Sequence, residues 1–439
     1  MKPLSPLRFD ALAGYSRSPL LGLSARELLW FEEGNEKLLG VVSLDLADND
    51  YVYTVLARDA NGRFRAVHLD INISSEAAAT KQLEAALAEL AARPDTDFRQ
   101  GDESGAPLDL FTPTVAPDKQ NPRFRELATA AGFTPALGLL KELMHYFHDV
   151  DGNFVQQFQS TGFDTRVWEL YLYALFTELG YGFDRTHSAP DFHCQGLRGD
   201  FFAEATTVNP SATPPDIDEQ NEEAYFTHYV PTKFGSALFS KVQKRYWELP
   251  LVAGSPLVFA VQDFHAPQAM AWSNSALVEY LYGIRQIETK GADGTPEIVS
   301  ERIEKYEWQG KKVPAGFFRQ PDTEHVSAVL ANPGGTLSKF NRMGYLAGFG
   351  NRAIGMVRGG ICYCGKLVPE SFSAKVHDPG YSETWCEGVS VFHNPHARNP
   401  LPEYSIPGAA HHTAGDGRIL SSMPDFFPVG SNTFIVVPS

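Results

Sequence analysis

The chain has 439 residues, a length typical of two or three domains. Hydrophobic residues make up 43% and charged residues 21%, which excludes a disordered or fibrous protein. Lys and Arg number 37 against 53 Asp and Glu, a formal net charge of -16. Any contact with nucleic acid must therefore come from a local basic patch, because net charge opposes it.

The cysteine content and the apolar runs predict the compartment. There are four cysteines and no CxxC pair, so we expect neither a disulfide framework nor a zinc ribbon, and a reducing cytoplasm is favoured. The amino terminus lacks the apolar core of a signal peptide, and runs such as 256–261 are too short to span a bilayer. We therefore expect a cytoplasmic protein that is not associated with a membrane.

Residues 1–120 predict a small α+β module. Three β-rich runs, 39–44, 51–57 and 63–69, are separated by turn-forming residues and predict an antiparallel meander. An Ala/Leu/Glu-rich helix follows from about Ser75 to Ala92, with Ser74 or Ser75 as its cap. Five prolines and two glycines between 93 and 122 are typical of a linker, so we expect a domain boundary near residue 120.

Residues 121–285 predict a second domain in which the periodicity changes quickly. A helix over 165–179 carries Glu169 and is stopped by Gly180. The predicted elements that follow are strands at 182–187, 191–195 and 200–208, a helix over 233–248 and a buried strand at 256–263, after helices at 122–131 and 134–147. The order from 165 onward is therefore helix, three strands, helix, strand.

Two carboxylates are expected to meet at one end of these strands. Alternation along the third strand places Glu204 and Thr206 on one face, and Asp191 opens the preceding strand. Hard cations such as Mg²⁺ or Mn²⁺ prefer oxygen ligands, so Asp191, Glu204 and the Ala205 carbonyl form a candidate metal site. A turn residue after Pro190 is an equally expected role for Asp191, and Glu169 taken alone is an ordinary solvated helix carboxylate.

The Pro190-Asp191 pair, the Glu204-Ala205-Thr206 run and the helix-borne Glu169 together resemble the PD-(D/E)XK nuclease superfamily over residues 160–285. The resemblance implies an αβββαβ restriction-endonuclease-like core within a multidomain α/β chain. It implies that Asp191 and Glu204 bind Mg²⁺ or Mn²⁺ and that Glu169 joins through water or supports a second metal. It further implies hydrolysis of phosphodiesters in DNA or RNA, DNA being favoured, and allows a role in bacterial defence against foreign DNA.

The sequence departs from the family pattern at its third position. Thr206 stands where the motif lysine is expected, and superfamily members are known in which this lysine lies on the following helix. Here that helix offers Lys241, which we favour because it flanks the expected core seam, and Lys244, which lies nearly opposite the seam. The predicted seam consists of Leu238, Val242, Tyr246 and Leu249. The alternative is a catalytically degenerate nuclease fold that binds nucleic acid or a partner protein.

Residues 286–439 predict a β-containing extension with a local basic bias. Between 339 and 375 there are six basic residues and a single acid, Glu370. We expect nucleic-acid contacts from Lys339, Arg342, Arg352 and Arg358, while ordinary surface charge is an equally expected explanation. A homo-oligomer or an activating partner protein stays open.

Overall fold

The computed structural model describes residues 1–103, 105–184, 186–215, 217, 222–266, 269–290, 296–366 and 368–437. Within these ranges the protein is a mixed α/β structure whose strands form five sheets, the largest of eight strands. Among the described helices, none combines the length and apolar character that crossing a bilayer requires.

The amino-terminal sheet has five antiparallel strands in chain order. They are β1 (Lys2–Pro3), β2 (Ala25–Glu33), β3 (Leu38–Asp45), β4 (Tyr51–Arg58) and β5 (Phe64–Ile73), with helices α1 (Pro6–Ala13), α2 (Leu21–Ser24) and α3 (Glu76–Ala91). The predicted meander corresponds to β3–β5, while β1 and β2 were not predicted. The Ser75 side chain accepts a hydrogen bond from the Ala78 amide at 3.2 Å, which confirms the predicted cap of α3.

The segment that follows contains the predicted order of helix, three strands, helix and strand. Its elements are α4 (Pro122–Thr129), α5 (Thr134–Leu143), α6 (Phe154–Gln159), α7 (Phe163–Glu178), β6 (Gly182–Asp184), β7 (Phe192–Gln195), β8 (Phe201–Val208), α8 (Glu222–Ala224), a π-helical turn (Tyr225–Tyr229), α9 (Val230–Val242), β9 (Leu257–Asp263) and α10 (Met270–Tyr282). Helix α9 ends at Val242 rather than near Glu248, because Arg245 has a left-handed backbone (φ 51°) that a helix cannot include.

The remaining elements are mostly strands. They are β10 (Ile284–Lys290), β11 (Pro296–Arg302), β12 (Lys305–Trp308), β13 (Lys311–Pro314), β14 (Ala328–Ala331), α11 (Leu337–Leu346), β15 (Gly355–Cys364), β16 (Glu370–Lys375), β17 (Ser390–His393), β18 (Ala410–Gly415), β19 (Arg418–Ser422) and β20 (Phe426–Val436). The pairs β10/β11 and β12/β13 are hairpins, and β16-β15-β20 form a separate sheet. Cys362 and Cys364 are disulfide-bonded within β15, a pairing that was not predicted from the sequence, where no disulfide framework was expected.

The eight-stranded sheet has the order β19-β18-β17-β14-β9-β8-β7-β6. Strands β8, β9 and β14 are parallel, and Ala260 of β9 lies between Ala205 of β8 and Leu330 of β14. Four of the eight strands lie beyond residue 285. The predicted boundary at 285 therefore does not separate two cores, because the central sheet continues into the segment that was expected to be an extension.

Helices cover both faces of this sheet. Phe201, Ala203 and Ala205 of β8 pack in one core with α7, while Phe202 and Val208 pack in a second core with α9, as strand alternation predicts. The first core also includes residues from α1 and Leu110 from the expected linker. The side-chain amide of Gln159 donates to the carbonyls of Leu110 and Thr112, so this proline-rich stretch is anchored to the core.

Candidate functional site

Glu204 is the centre of a buried polar cluster between β8 and α9. Its Oε1 accepts hydrogen bonds from Lys241 Nζ and from the Tyr246 hydroxyl, each at 2.6 Å. Its Oε2 accepts the backbone amide of Asp191 at 3.2 Å. Burying a carboxylate is costly unless it is compensated, and here a cation, a hydroxyl and an amide compensate it.

Asp191 lies directly before β7, beside the point where β7 stops pairing with β8. Its Oδ2 accepts a hydrogen bond from the Ala205 amide at 2.7 Å. Burial raises the pKa of Asp191 well above its usual value, and the negative charges of Glu204 and Glu169 raise it further. An ionised Asp191 at this position would be stabilised by a positive charge, which Lys241 supplies only in part.

Glu169, on α7, is a third carboxylate whose charge acts on Asp191. It is buried, and its Oε2 accepts a hydrogen bond from Arg166 at 2.6 Å. Arg166 in turn donates to Gln157 and Asn153, which fixes the guanidinium. Glu169 is therefore a buried, ion-paired carboxylate and not a solvated one. Its negative charge is close enough to raise the pKa of Asp191.

The donor atoms around Asp191 and Glu204 fit a hard divalent cation. The Ala205 amide points towards Asp191, so the carbonyl of the same residue points to that side of β8 as well. This places a carbonyl and two carboxylates at the open edge of β8, and oxygen donors of this kind are what Mg²⁺ and Mn²⁺ prefer. Across the described residues, no three His, Cys, Asp or Glu side chains are already arranged as a metal site.

The two candidate lysines have different environments. Lys241 lies on the last turn of α9 and reaches Glu204, whereas Lys244 lies beyond the end of the helix with an exposed side chain. Thr206 is buried on the Glu204 face of β8 and carries no charge. The structure therefore brings Glu169, Asp191, Glu204 and Lys241 together and leaves Lys244 outside.

Two residues of the site were not predicted from the sequence. Tyr246 was expected only as part of a core seam, and it is buried, but its hydroxyl also binds Glu204. Arg166 lies three residues before Glu169, a spacing at which helical side chains of opposite charge meet, and this spacing was the available signal for the ion pair.

The predicted nucleic-acid-binding residues do not form a basic surface. Lys339, Arg342 and Arg358 are at most 2% exposed, and each forms an ion pair with the buried carboxylate of Glu383. Cations that are buried and neutralised in this way are not available to phosphates, so the expectation is corrected for these three. Arg352 is exposed and lies over the ring of Tyr345, 3.9 Å from its centroid.

Comparisons with protein-family models, with curated proteins and with solved structures gave no match.

Proposed function

We propose that the protein is a metal-dependent phosphodiesterase that cleaves nucleic acid, DNA in preference to RNA. The observation that carries the proposal is the meeting of Asp191, Glu204 and Lys241 at the open edge of β8, with Lys241 Nζ 2.6 Å from Glu204 Oε1. A buried carboxylate whose pKa is raised, as that of Asp191 is, and which lies beside a second carboxylate and a lysine is an arrangement found at catalytic centres.

The proposal includes a restriction-endonuclease-like core. It is supported by the order α7, β6, β7, β8, α9, β9, and by the helices that cover both faces of the sheet these strands form. Cytoplasmic location and a role in defence against foreign DNA stay predictions from the sequence.

Asp191, Glu204 and the Ala205 carbonyl would hold the cation, Mg²⁺ or Mn²⁺. When bound, the metal lowers the pKa of a coordinated water and neutralises charge on the scissile phosphate. Lys241 keeps its ammonium at Glu204, where a positive charge orients the attacking water and stabilises charge that develops on the phosphate. Tyr246 holds the same carboxylate oxygen and fixes its orientation. Glu169 keeps Arg166 beside the cluster.

The test is cleavage of supercoiled and linear DNA, single-stranded DNA and RNA with Mg²⁺ or Mn²⁺. Asp191→Asn, Glu204→Gln and Lys241→Met are each expected to reduce cleavage by about 10²-fold or more, the range for losing one catalytic group. Lys244→Met is the matched control and is expected to cleave like the wild type. Cleavage that survives in Asp191→Asn and Glu204→Gln would overturn the proposal.

A binding protein with a degenerate nuclease fold is the second candidate. It is favoured by Thr206, which replaces the motif lysine, and by the hydrogen bonds of Glu204, both of whose carboxylate oxygens are already bound within the protein. Binding of nucleic acid without cleavage under both metals would select this candidate.

A further inference from the structure

Two lysines, Lys233 and Lys311, lie beside the amino-terminal half of α9, whereas the carboxylate site lies at the other end of this helix. Lys233, on the first turn of α9, donates to Ser211 Oγ at 3.1 Å, and Ser211 contacts the Tyr229 hydroxyl at 2.9 Å. Lys311, on β13, donates to Ser236 Oγ at 2.6 Å. Ser236 lies one turn after Lys233, so both ammonium groups lie against the same part of the helix.

Tight packing fixes the β12/β13 hairpin in this position. A Cβ on Gly235 would lie 2.5 Å from Val313 Cγ1, so the glycine allows β13 to approach α9 closely. Trp308 of β12 packs against Tyr229 at 5.3 Å between ring centroids. The position of Lys311 beside α9 is therefore built into the fold.

The charges of this pair are only partly compensated. Among the described residues, neither Lys233 nor Lys311 forms an ion pair, although the chain carries 16 more acidic than basic residues. Burial lowers the pKa of Lys233 and the Lys311 charge lowers it further, while Asp263 raises it. The Asp263 carboxylate also binds His265 Nδ1 at 2.7 Å, so it is shared. The other lysines of the hairpin, Lys305 and Lys312, both lie within 4 Å of Glu307.

The lysine pair and the carboxylate site both lie along α9. Lys233 and Lys241 are eight residues apart on α9, which corresponds to about 12 Å along the helix axis. The strands give a second measure of this distance. Asp263, whose charge acts on Lys233, pairs with Val208 of β8. Val208 is four residues from Glu204, which corresponds to about 13 Å along the strand. The strand and the helix therefore give the same separation, about four base steps of a nucleic-acid strand at 3.4 Å each.

We propose that Lys233 and Lys311 bind the phosphate backbone of the substrate strand about 12 Å from the Asp191–Glu204 centre. This inference rests on the proposed function for the identity of the polyanion. The lysine pair takes the place of the basic segment 339–375 as the proposed nucleic-acid contact, because the buried cations of that segment form ion pairs with Glu383 and Glu387.

The test is fluorescence anisotropy of a labelled single strand and of its duplex, with the full chain in EDTA, at about 50 to 200 mM salt. Lys233→Gln with Lys311→Gln should weaken binding about tenfold or more and lower the slope of log Kd against log salt by about 1.4 to 1.8, the value for two lost phosphate contacts. Lys311→Gln alone tests the exposed lysine, whose loss leaves the core intact. Lys305→Gln with Lys312→Gln is the matched control and should bind like the wild type.

The outcomes separate this inference from the proposed function. Loss of affinity and slope in the double variant, with the control unchanged, supports the surface even if the wild type never cleaves. Unchanged affinity and slope in the double variant overturns the surface even if Glu204→Gln abolishes cleavage. An equal loss of affinity in the control variant would also overturn the surface. So would a wild type that binds neither the single strand nor the duplex.

Discussion

Lys241 Nζ lies 2.6 Å from Glu204 Oε1, and the two side chains differ in exposure, 23% for the lysine and 7% for the glutamate. Removing the lysine leaves a buried carboxylate short of one partner, whereas removing the carboxylate charge leaves a lysine that can turn to solvent. We expect Lys241→Met to lower the free energy of unfolding by about 2 to 4 kcal/mol and Glu204→Gln by about 1 to 2 kcal/mol in urea denaturation. Equal losses would contradict this asymmetry.

Two buried tyrosines offer a matched comparison of hydroxyl groups. The Tyr246 hydroxyl donates to the Glu204 carboxylate, whereas the Tyr306 hydroxyl is buried and has no hydrogen-bond partner among the described residues. Tyr246→Phe is expected to cost about 1.5 to 3 kcal/mol, the range for a hydrogen bond to a charged group. Tyr306→Phe is expected to be neutral or stabilising, because it removes an unsatisfied buried polar group. Thermal or urea unfolding of the two variants measures both, and a costlier Tyr306→Phe would refute the comparison.

The raised pKa of Asp191 predicts a pH dependence of stability. Between the ordinary value of 3.8 and the raised value, the folded protein holds a proton that the unfolded chain has released. Stability therefore falls as the pH rises through this window, by up to about 1.4 kcal/mol per pH unit. Asp191→Asn should remove this contribution, so its stability relative to wild type should increase from about pH 4 upward when divalent cations are absent.

Divalent cations provide the complementary measurement for Asp191. If the carboxylate holds Mg²⁺, adding the metal at neutral pH should raise the unfolding temperature of the wild type, with a larger effect as the pH rises, since binding requires the ionised form. Asp191→Asn should show no such increase. Identical metal responses in the two proteins would place the cation elsewhere.

Glu383 is expected to be the most sensitive charged residue of the carboxyl-terminal region. Arg342 binds both of its oxygens, at 2.7 and 2.8 Å, and Lys339 and Tyr381 add contacts at 2.9 and 2.6 Å. Although burial alone would raise it, the pKa of Glu383 is held well below its usual value, chiefly by Arg342 and Lys339. Glu383→Gln should cost about 3 to 5 kcal/mol, because it leaves buried cations unpaired.

An exposed ion pair supplies the control for Glu383. Lys366 and Glu370 form a bridge in which both side chains are largely exposed. Glu370→Gln should change the stability by no more than about 0.5 kcal/mol. Similar losses at Glu383 and Glu370 would show that the buried network contributes less than its contacts indicate.

Local sequence patterns predicted many of the helices and strands, but they did not predict which distant strands pair. The cap at Ser75 and the alternation along β8 depend on neighbouring residues, and both are present in the structure. Strand β14 has only four residues, and its parallel partner β9 lies far away in the sequence, so the continuation of the sheet gave no local signal. The basic composition of 339–375 was likewise a misleading local signal for a basic surface. The carboxylates that neutralise its buried cations, Glu383 and Glu387, lie just beyond that segment.

The carboxylate site was predictable in part for a related reason. Asp191 and Glu204 follow from strand order and alternation, and helical spacing favoured Lys241 over Lys244 once the family resemblance had pointed to that helix. The contact between Tyr246 and Glu204 depends on where α9 ends, and the left-handed Arg245 that turns the chain there is not indicated by helical periodicity.

The order of strands in the central sheet has a consequence for synthesis on the ribosome. Strand β9 is made long before β14, so one edge of a buried and mostly apolar strand has no neighbour while the chain is still growing. Such an edge is a template for association between nascent chains. Because β14 is the neighbour that covers this edge, the central sheet stays open beside β9 until residues 328–331 have been synthesised.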